Sequence, residues 1–347
     1  MNEVEECRPG MDAINIGDFE AAQRIFQRLA EKGNVTAMVD LGRIHLRELS
    51  PSSNVEQAIY WLKEAAEAGA SAAYAELGQM AESGHMGEAG GHKAVDFFRK
   101  GAELEDPECM FNLGRCFLMG EGVEQHTANA MNWLGRAAHA DHALACYWMG
   151  SAFSDGQYIE RDLAMASNFY ERGATLGYSF AQNKLGIMYR DGTGREQNLE
   201  QAYALFELSS QQDNSWGTYL LGCLYLRGQF VDQDFDTARS LIEKAAAQDL
   251  PQALTELGAM YGKGLGVDVN RGMAIKHYER AAELNDTDAL YNLGVIYINA
   301  DGVDRDIEKG LVYLVRGAEL GDEESKVVLA KLANEHGIGP GAEITLQ

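Results

Sequence analysis

A chain of 347 residues in which 53 acidic side chains stand against 29 lysines and arginines has a formal net charge of −24, a field that repels nucleic-acid phosphates and anionic lipid headgroups. Apolar residues make up 46% and prolines number five, a composition that suits helices around a continuous core. Its apolar runs fall well short of the roughly 20 residues that cross a bilayer, so membrane insertion is not expected. As written the chain reads as cytoplasmic, or as periplasmic or secreted where a leader has been removed. Cys7, Cys109, Cys116, Cys146 and Cys223 are an odd number without CxxC spacing, and are expected as reduced packing residues.

Residues 1–33 read as an N-terminal cap ending in a half repeat. From residue 34 onward a Leu-Gly pair returns every 36 residues, at Leu41-Gly42, Leu77-Gly78, Leu113-Gly114, Leu185-Gly186, Leu221-Gly222, Leu257-Gly258 and Leu293-Gly294, with Met149-Gly150 keeping step. The eight units are 34–69, 70–105, 106–141, 142–177, 178–213, 214–249, 250–285 and 286–321, and 322–347 form a capping helix and tail. Each unit predicts two helices, because its apolar residues fall at i, i+3, i+4 and i+7, as in Ala58, Leu62, Ala65 and Ala66. Asn34, Asp106, Asn214, Asp286 and Asp322 are placed to cap first helices, and Asn54, Asp162, Asn198, Asp234, Asn270 and Asp306 to cap second ones. Gln57 and Gln201, three residues into their helices, predict capping boxes. Gly69, Gly177, Asn285 and Gly321 suit helix ends with positive φ.

A unit of this size cannot bury its own apolar face, so stacked neighbours must supply the core. The predicted fold is all-α: a right-handed α/α superhelical solenoid of 36-residue helix-turn-helix repeats.

The segments AIYWLKEAAEAGASAAYAELGQMAESG and AIKHYERAAELNDTDALYNLGVIYINADGV resemble the Sel1-like repeat family, relatives of the tetratricopeptide repeat. They follow its Ala-x-x-Trp/Tyr-x-x-Ala-Ala, Ala-x-x-x-Leu-Gly-x-x-Tyr and Gly-x-Gly-Val pattern over roughly residues 18 to 336. Gly17-Asp18-Phe19-Glu20-Ala21-Ala22 is similar to the tetratricopeptide form of a second-helix opening. The resemblance implies a non-enzymatic protein–protein interaction scaffold or adaptor. Cysteine-rich members assigned β-lactam-directed activity have a cysteine pair in each unit. This chain lacks those pairs, so a β-lactam- or cell-wall-directed hydrolase is the least favoured reading. An immunity protein that sequesters a toxic bacterial effector is the alternative.

With positions such as 37, 41, 42 and 45 committed to packing, the opposite side of each first helix forms a stripe that faces a concave groove in arrays of this kind. The stripe is polar in the outer units, and Arg43, Arg47, Glu76, Arg115, Asp155 and Asp191 are read as a charged rim. Its centre holds Leu144, Trp148, Phe180, Lys184, Ile187, Trp216, Leu220 and Arg227. An apolar centre with a charged rim is the anatomy of a protein interface. The expected partner is therefore another protein, with a basic surface that the acidic chain would steer inward. No catalytic set is expected, and no cofactor. His139, Asp141, His142 and Cys146 gather near one turn with one pair at i, i+4, but read better as a solvated turn than as metal ligands.

Overall fold

The computed structural model describes residues 3–46, 54–87 and 90–335, and among these every regular element is a helix. The helices are α1 (Glu3–Asn15), α2 (Phe19–Ala30), α3 (Val35–Leu46), α4 (Val55–Glu67), α5 (Ser71–Glu82), α6 (Gly90–Glu103), α7 (Pro107–Met119), α8 (Thr127–His139), α9 (Ala143–Asp155) and α10 (Leu163–Thr175). They continue with α11 (Ser179–Asp191), α12 (Leu199–Gln211), α13 (Ser215–Arg227), α14 (Phe235–Ala246), α15 (Pro251–Lys263), α16 (Arg271–Glu283), α17 (Thr287–Asn299), α18 (Ile307–Glu319) and α19 (Glu323–Glu335). Two compact units divide the chain, Met1–Ala181 and Gln182–Gln347. Within each, an odd-numbered helix packs on the even one that follows it, and that helix leads to the next pair; α1 also touches α3, α3 touches α5, and α5 touches α7.

The Leu-Gly pair explains the pairing. Leu41, Leu77, Leu113 and Leu293 are fully buried, while the adjacent glycine lets a side chain of the second helix rest on bare backbone. A Cβ on Gly42 would lie 2.6 Å from Leu62, and one on Gly150 or Gly258 2.6 Å from Tyr170 or Tyr278. The small residues of the second helices, Ala58, Ala94, Ala130, Ala166, Ala202 and Ala238, are likewise fully buried. Close helix approach, with large residues of one element set on small ones of the other, gives each pair a dense core.

Caps fix the helix starts. Asp106, Asn214 and Asp286 accept the amides of Cys109, Gly217 and Ala289, and Asn54, Asn198, Asn270 and Asp306 accept those of Gln57, Gln201, Met273 and Lys309. The predicted capping boxes do not form. The amide of Asn54 is taken by the His45 carbonyl at 2.9 Å and that of Asn198 by the Tyr189 carbonyl at 2.9 Å, a tie that returns between Asn270 and Tyr261 and between Asp306 and Tyr297. At the N-terminus α1 packs on α2 and α3 and brings Gly10 against the Phe26 ring. The five cysteines are free and buried. No helix among the described residues is long and apolar enough to cross a membrane.

Candidate functional site

Most of the expected rim is tied up within the chain. Arg43 Nε donates to Glu76 at 2.7 Å from one first helix to the next, and Arg115 pairs with Glu82 and with Glu121. Asp191 is held by its neighbour Arg190 at 2.7 and 3.0 Å. Charges paired in this way are less available to a partner than unpaired ones. Arg47 lies outside the described residues. Asp155 differs from the other rim residues: it is exposed at the last turn of α9, and among the described residues nothing pairs with it.

The expected apolar centre divides by burial. In the first unit Leu144 and Trp148 are half-buried against the core, and Phe180 is 49% exposed with its ring 6.3 Å from Tyr147 and 5.5 Å from Tyr178. In the second unit Ile187 and Trp216 are half-buried against the core, Trp216 lies 5.3 Å from Tyr219, and Lys184 and Arg227 are exposed. Leu220 must be removed from the surface set. At 3% exposure it belongs to the core beside Phe206 and Leu224, because the stripe drifts inward on a helix that is apolar on nearly every side.

Trp148 and Asp155 come together in a feature that sequence reading did not isolate. They line a cavity of about 180 Å³ between the C-terminal end of α7, the face of α8 and the outer half of α9. Leu134 and Ala152 form its floor, Met119, Met131, Tyr147 and Trp148 its walls, and Tyr158 and Asp155 stand at its mouth. Trp148 is braced from behind by an edge-to-face contact with Phe111 at 5.6 Å, and Phe111 is stacked on His142 at 4.7 Å.

The recess is a property of the repeat, recurring with different walls. Between α3, α4 and α5 the matching recess is lined by Glu76, Gln79, Ser83 and His85; between α15, α16 and α17 it is lined by Lys263, Arg271, Asn292 and Asp301. By register Trp148 takes the place of Glu76 and Asn292, and Met119 that of Lys263. Of these three, the α7–α9 version is the one that combines Trp148 and Tyr147 with Met119 and Met131. Sequence signals for it existed. Gly122, Gly194, Gly266 and Gly302 fill one loop position with positive φ, and that position is Tyr158 at the α7–α9 recess and Phe230 in the second unit. Phe230 keeps the left-handed backbone, with φ 69°, while 51% exposed and 5.5 Å from Tyr203, an arrangement that costs a bulky residue about 1–2 kcal/mol.

The residues considered as metal ligands have other roles. His142 Nδ1 accepts the Ala145 amide at 3.1 Å, capping α9, and its Nε2 meets Glu108 at 3.1 Å. This contact holds the Glu108 carboxyl below its ordinary range. Cys146 is buried and donates to the Ala138 carbonyl at 3.5 Å. Among the described residues no group of three His, Cys, Asp or Glu is placed to hold a metal ion.

The Sel1 repeat profile matches seven consecutive segments, 71–106, 107–142, 143–178, 179–214, 217–250, 251–286 and 287–322, and a tetratricopeptide repeat profile matches 9–73. Among solved structures, a protective antigen of uropathogenic Escherichia coli with an SLR fold is 27% identical, with 90% of this chain and 67% of that one aligned at a TM-score of 0.71. A Sel1 repeat protein from Oxalobacter formigenes is 25% identical, with 89% of each chain aligned at a TM-score of 0.61. The immunity protein Pa5087 from Pseudomonas aeruginosa is 18% identical, with 57% of this chain and 76% of that one aligned at a TM-score of 0.42, a likeness too low to bear on function. No curated protein matches the sequence significantly.

Proposed function

Because the chain belongs to the Sel1 repeat family, whose repeats imply a scaffold for protein–protein interaction, we propose that it binds a partner protein along its first-helix faces. Trp148 with Leu144 and Phe180 serves as the anchor in the first unit, and Trp216 with Ile187, Lys184 and Arg227 in the second. The observation that carries this reading is the α7–α9 recess, an open apolar cavity of about 180 Å³ walled by Trp148. Concave apolar sites rimmed by a few polar groups are where side chains of partners insert, and Trp dominates the energy of such contacts. The net charge of −24 favours a partner with a basic surface.

Affinity capture from the native host tests this, with Trp148→Ala and Trp216→Ala in parallel and thermal unfolding measured on each. Loss of the captured protein with unchanged unfolding supports the reading, and so does capture that weakens with added salt. Capture by the double variant equal to that of the unaltered chain overturns it.

A further inference from the structure

We infer that the α7–α9 recess takes an arginine side chain of the partner, its stem along the aromatic and methionine walls and its guanidinium at Asp155. This inference rests on the proposed function and specifies the chemistry of its anchor. A cavity of about 180 Å³ exceeds the ~150 Å³ that accommodates a benzene ring in a protein interior, so it holds one long side chain rather than a peptide segment. The walls are suited to a flat cation with an apolar stem. Tyr147 and Trp148 line it with aromatic rings, Met119 and Met131 adapt to shape, and a guanidinium stacks on aromatic rings at a smaller cost of lost hydration than an ammonium ion.

The mouth has the opposite charge. α7 ends at Met119 and α9 at Asp155, and both C-terminal ends contribute partial negative charge. Two of the charged side chains around this end are engaged within the chain. Arg161 Nε donates to the Ser154 carbonyl at 3.0 Å, and Glu121 is held by Arg115. Asp155 is the carboxylate that lines the recess, exposed and unpaired among the described residues. The recess between α15 and α17 shows the contrast, since it already contains the cationic side chains Lys263 and Arg271, with Arg271 paired to Asp301 at 3.1 Å.

The test uses the full chain and the amides of N-acetyl-L-arginine, N-acetyl-L-citrulline and N-acetyl-L-leucine as probes, followed at the tryptophan indole N–H signals by NMR. The chain has four tryptophans, and Trp148→Phe identifies the relevant signal by its loss. The arginine amide is expected to shift the Trp148 signal and to saturate it at about one tenth the concentration needed by the isosteric but uncharged citrulline amide. Asp155→Asn, at an exposed position that leaves thermal unfolding unchanged, should reduce that preference to less than about twofold. Equal binding of arginine and citrulline amides, or tighter binding of the leucine amide, overturns the inference. Failure here with partner capture still lost on Trp148→Ala leaves the scaffold reading standing; capture indifferent to Trp148→Ala and Trp216→Ala removes that reading whatever the amides do.

Discussion

Arg280 grips Asp249 of the preceding repeat with two parallel hydrogen bonds, Nε to Oδ1 at 3.0 Å and Nη2 to Oδ2 at 2.8 Å. Asp249 sits in a left-handed turn, at φ 56°, where its helix pair ends. The same cross-repeat tie joins Arg172 to Asp141, Lys244 to Asp213 and Arg316 to Asn285, so the turn between units is read by a cation from the next second helix. The Arg280 guanidinium holds the Asp249 carboxyl below its ordinary range. A depressed carboxyl contributes stability above its unfolded value and loses it as pH falls through the folded one. Arg280→Gln should therefore raise the Asp249 titration midpoint, read by carboxyl carbon NMR, and reduce the acid-side dependence of stability. An unchanged midpoint would show that the pair is not formed in solution.

Gly78 and Gly186 lie under the rings of Phe98 and Phe206, where a methyl group finds no room. Replacing either with alanine should cost about 1–3 kcal/mol, the usual penalty of overpacking a filled core, measured by denaturant unfolding. Gly17, by contrast, has open space around the position of a Cβ. There any penalty for alanine would come from its backbone, at φ 79°, and not from crowding.

Ala300 ends α17 with φ 59°, a position that Gly120, Gly156, Gly228 and Gly264 fill in other repeats. Ala300→Gly should stabilise the protein by about 0.5–1 kcal/mol, the relief of left-handed strain less the added freedom of the unfolded glycine. Thermal unfolding with no rise in midpoint would contradict the assignment of that backbone.

Burial pushes the thiols of Cys7 and Cys223 up to about 11 and that of Cys116 up to about 12, from an ordinary value of 9.0. Native protein at pH 8 should therefore resist iodoacetamide, with all five thiols reacting once it is unfolded. A group raised on folding contributes stability that is complete below its unfolded value and is lost as pH rises through the folded one. Stability should decline from about pH 9 upward, and cysteine-to-serine variants that fold should show a shallower decline.

The scaffold was legible because its signals are periodic: Leu-Gly pairs, Asn and Asp caps and left-handed glycines recur every 36 residues and each has a local physical cause. The interaction surface was only half legible. Trp148 could be selected as breaking the period, but the face that Leu220 presents depends on how α13 packs, and its burial at 3% follows from neighbours that a helical wheel does not represent. Met131 and Tyr147 were missed because the recess draws on three helices, whereas the stripe was traced on one. His142 was misplaced for a related reason. A histidine can cap a helix as Asn does, and a rule confined to Ser, Thr, Asp and Asn passes over it.

The wall and mouth positions of the recess are not the Leu-Gly positions that pair the helices, so one repeat can exchange Glu for Trp or Asn at the same register while its Leu-Gly pair stays in place. Such a chain separates grammar from vocabulary. The packing residues keep every module interchangeable in length, and the few that line each recess can be rewritten singly, without renegotiating the fold.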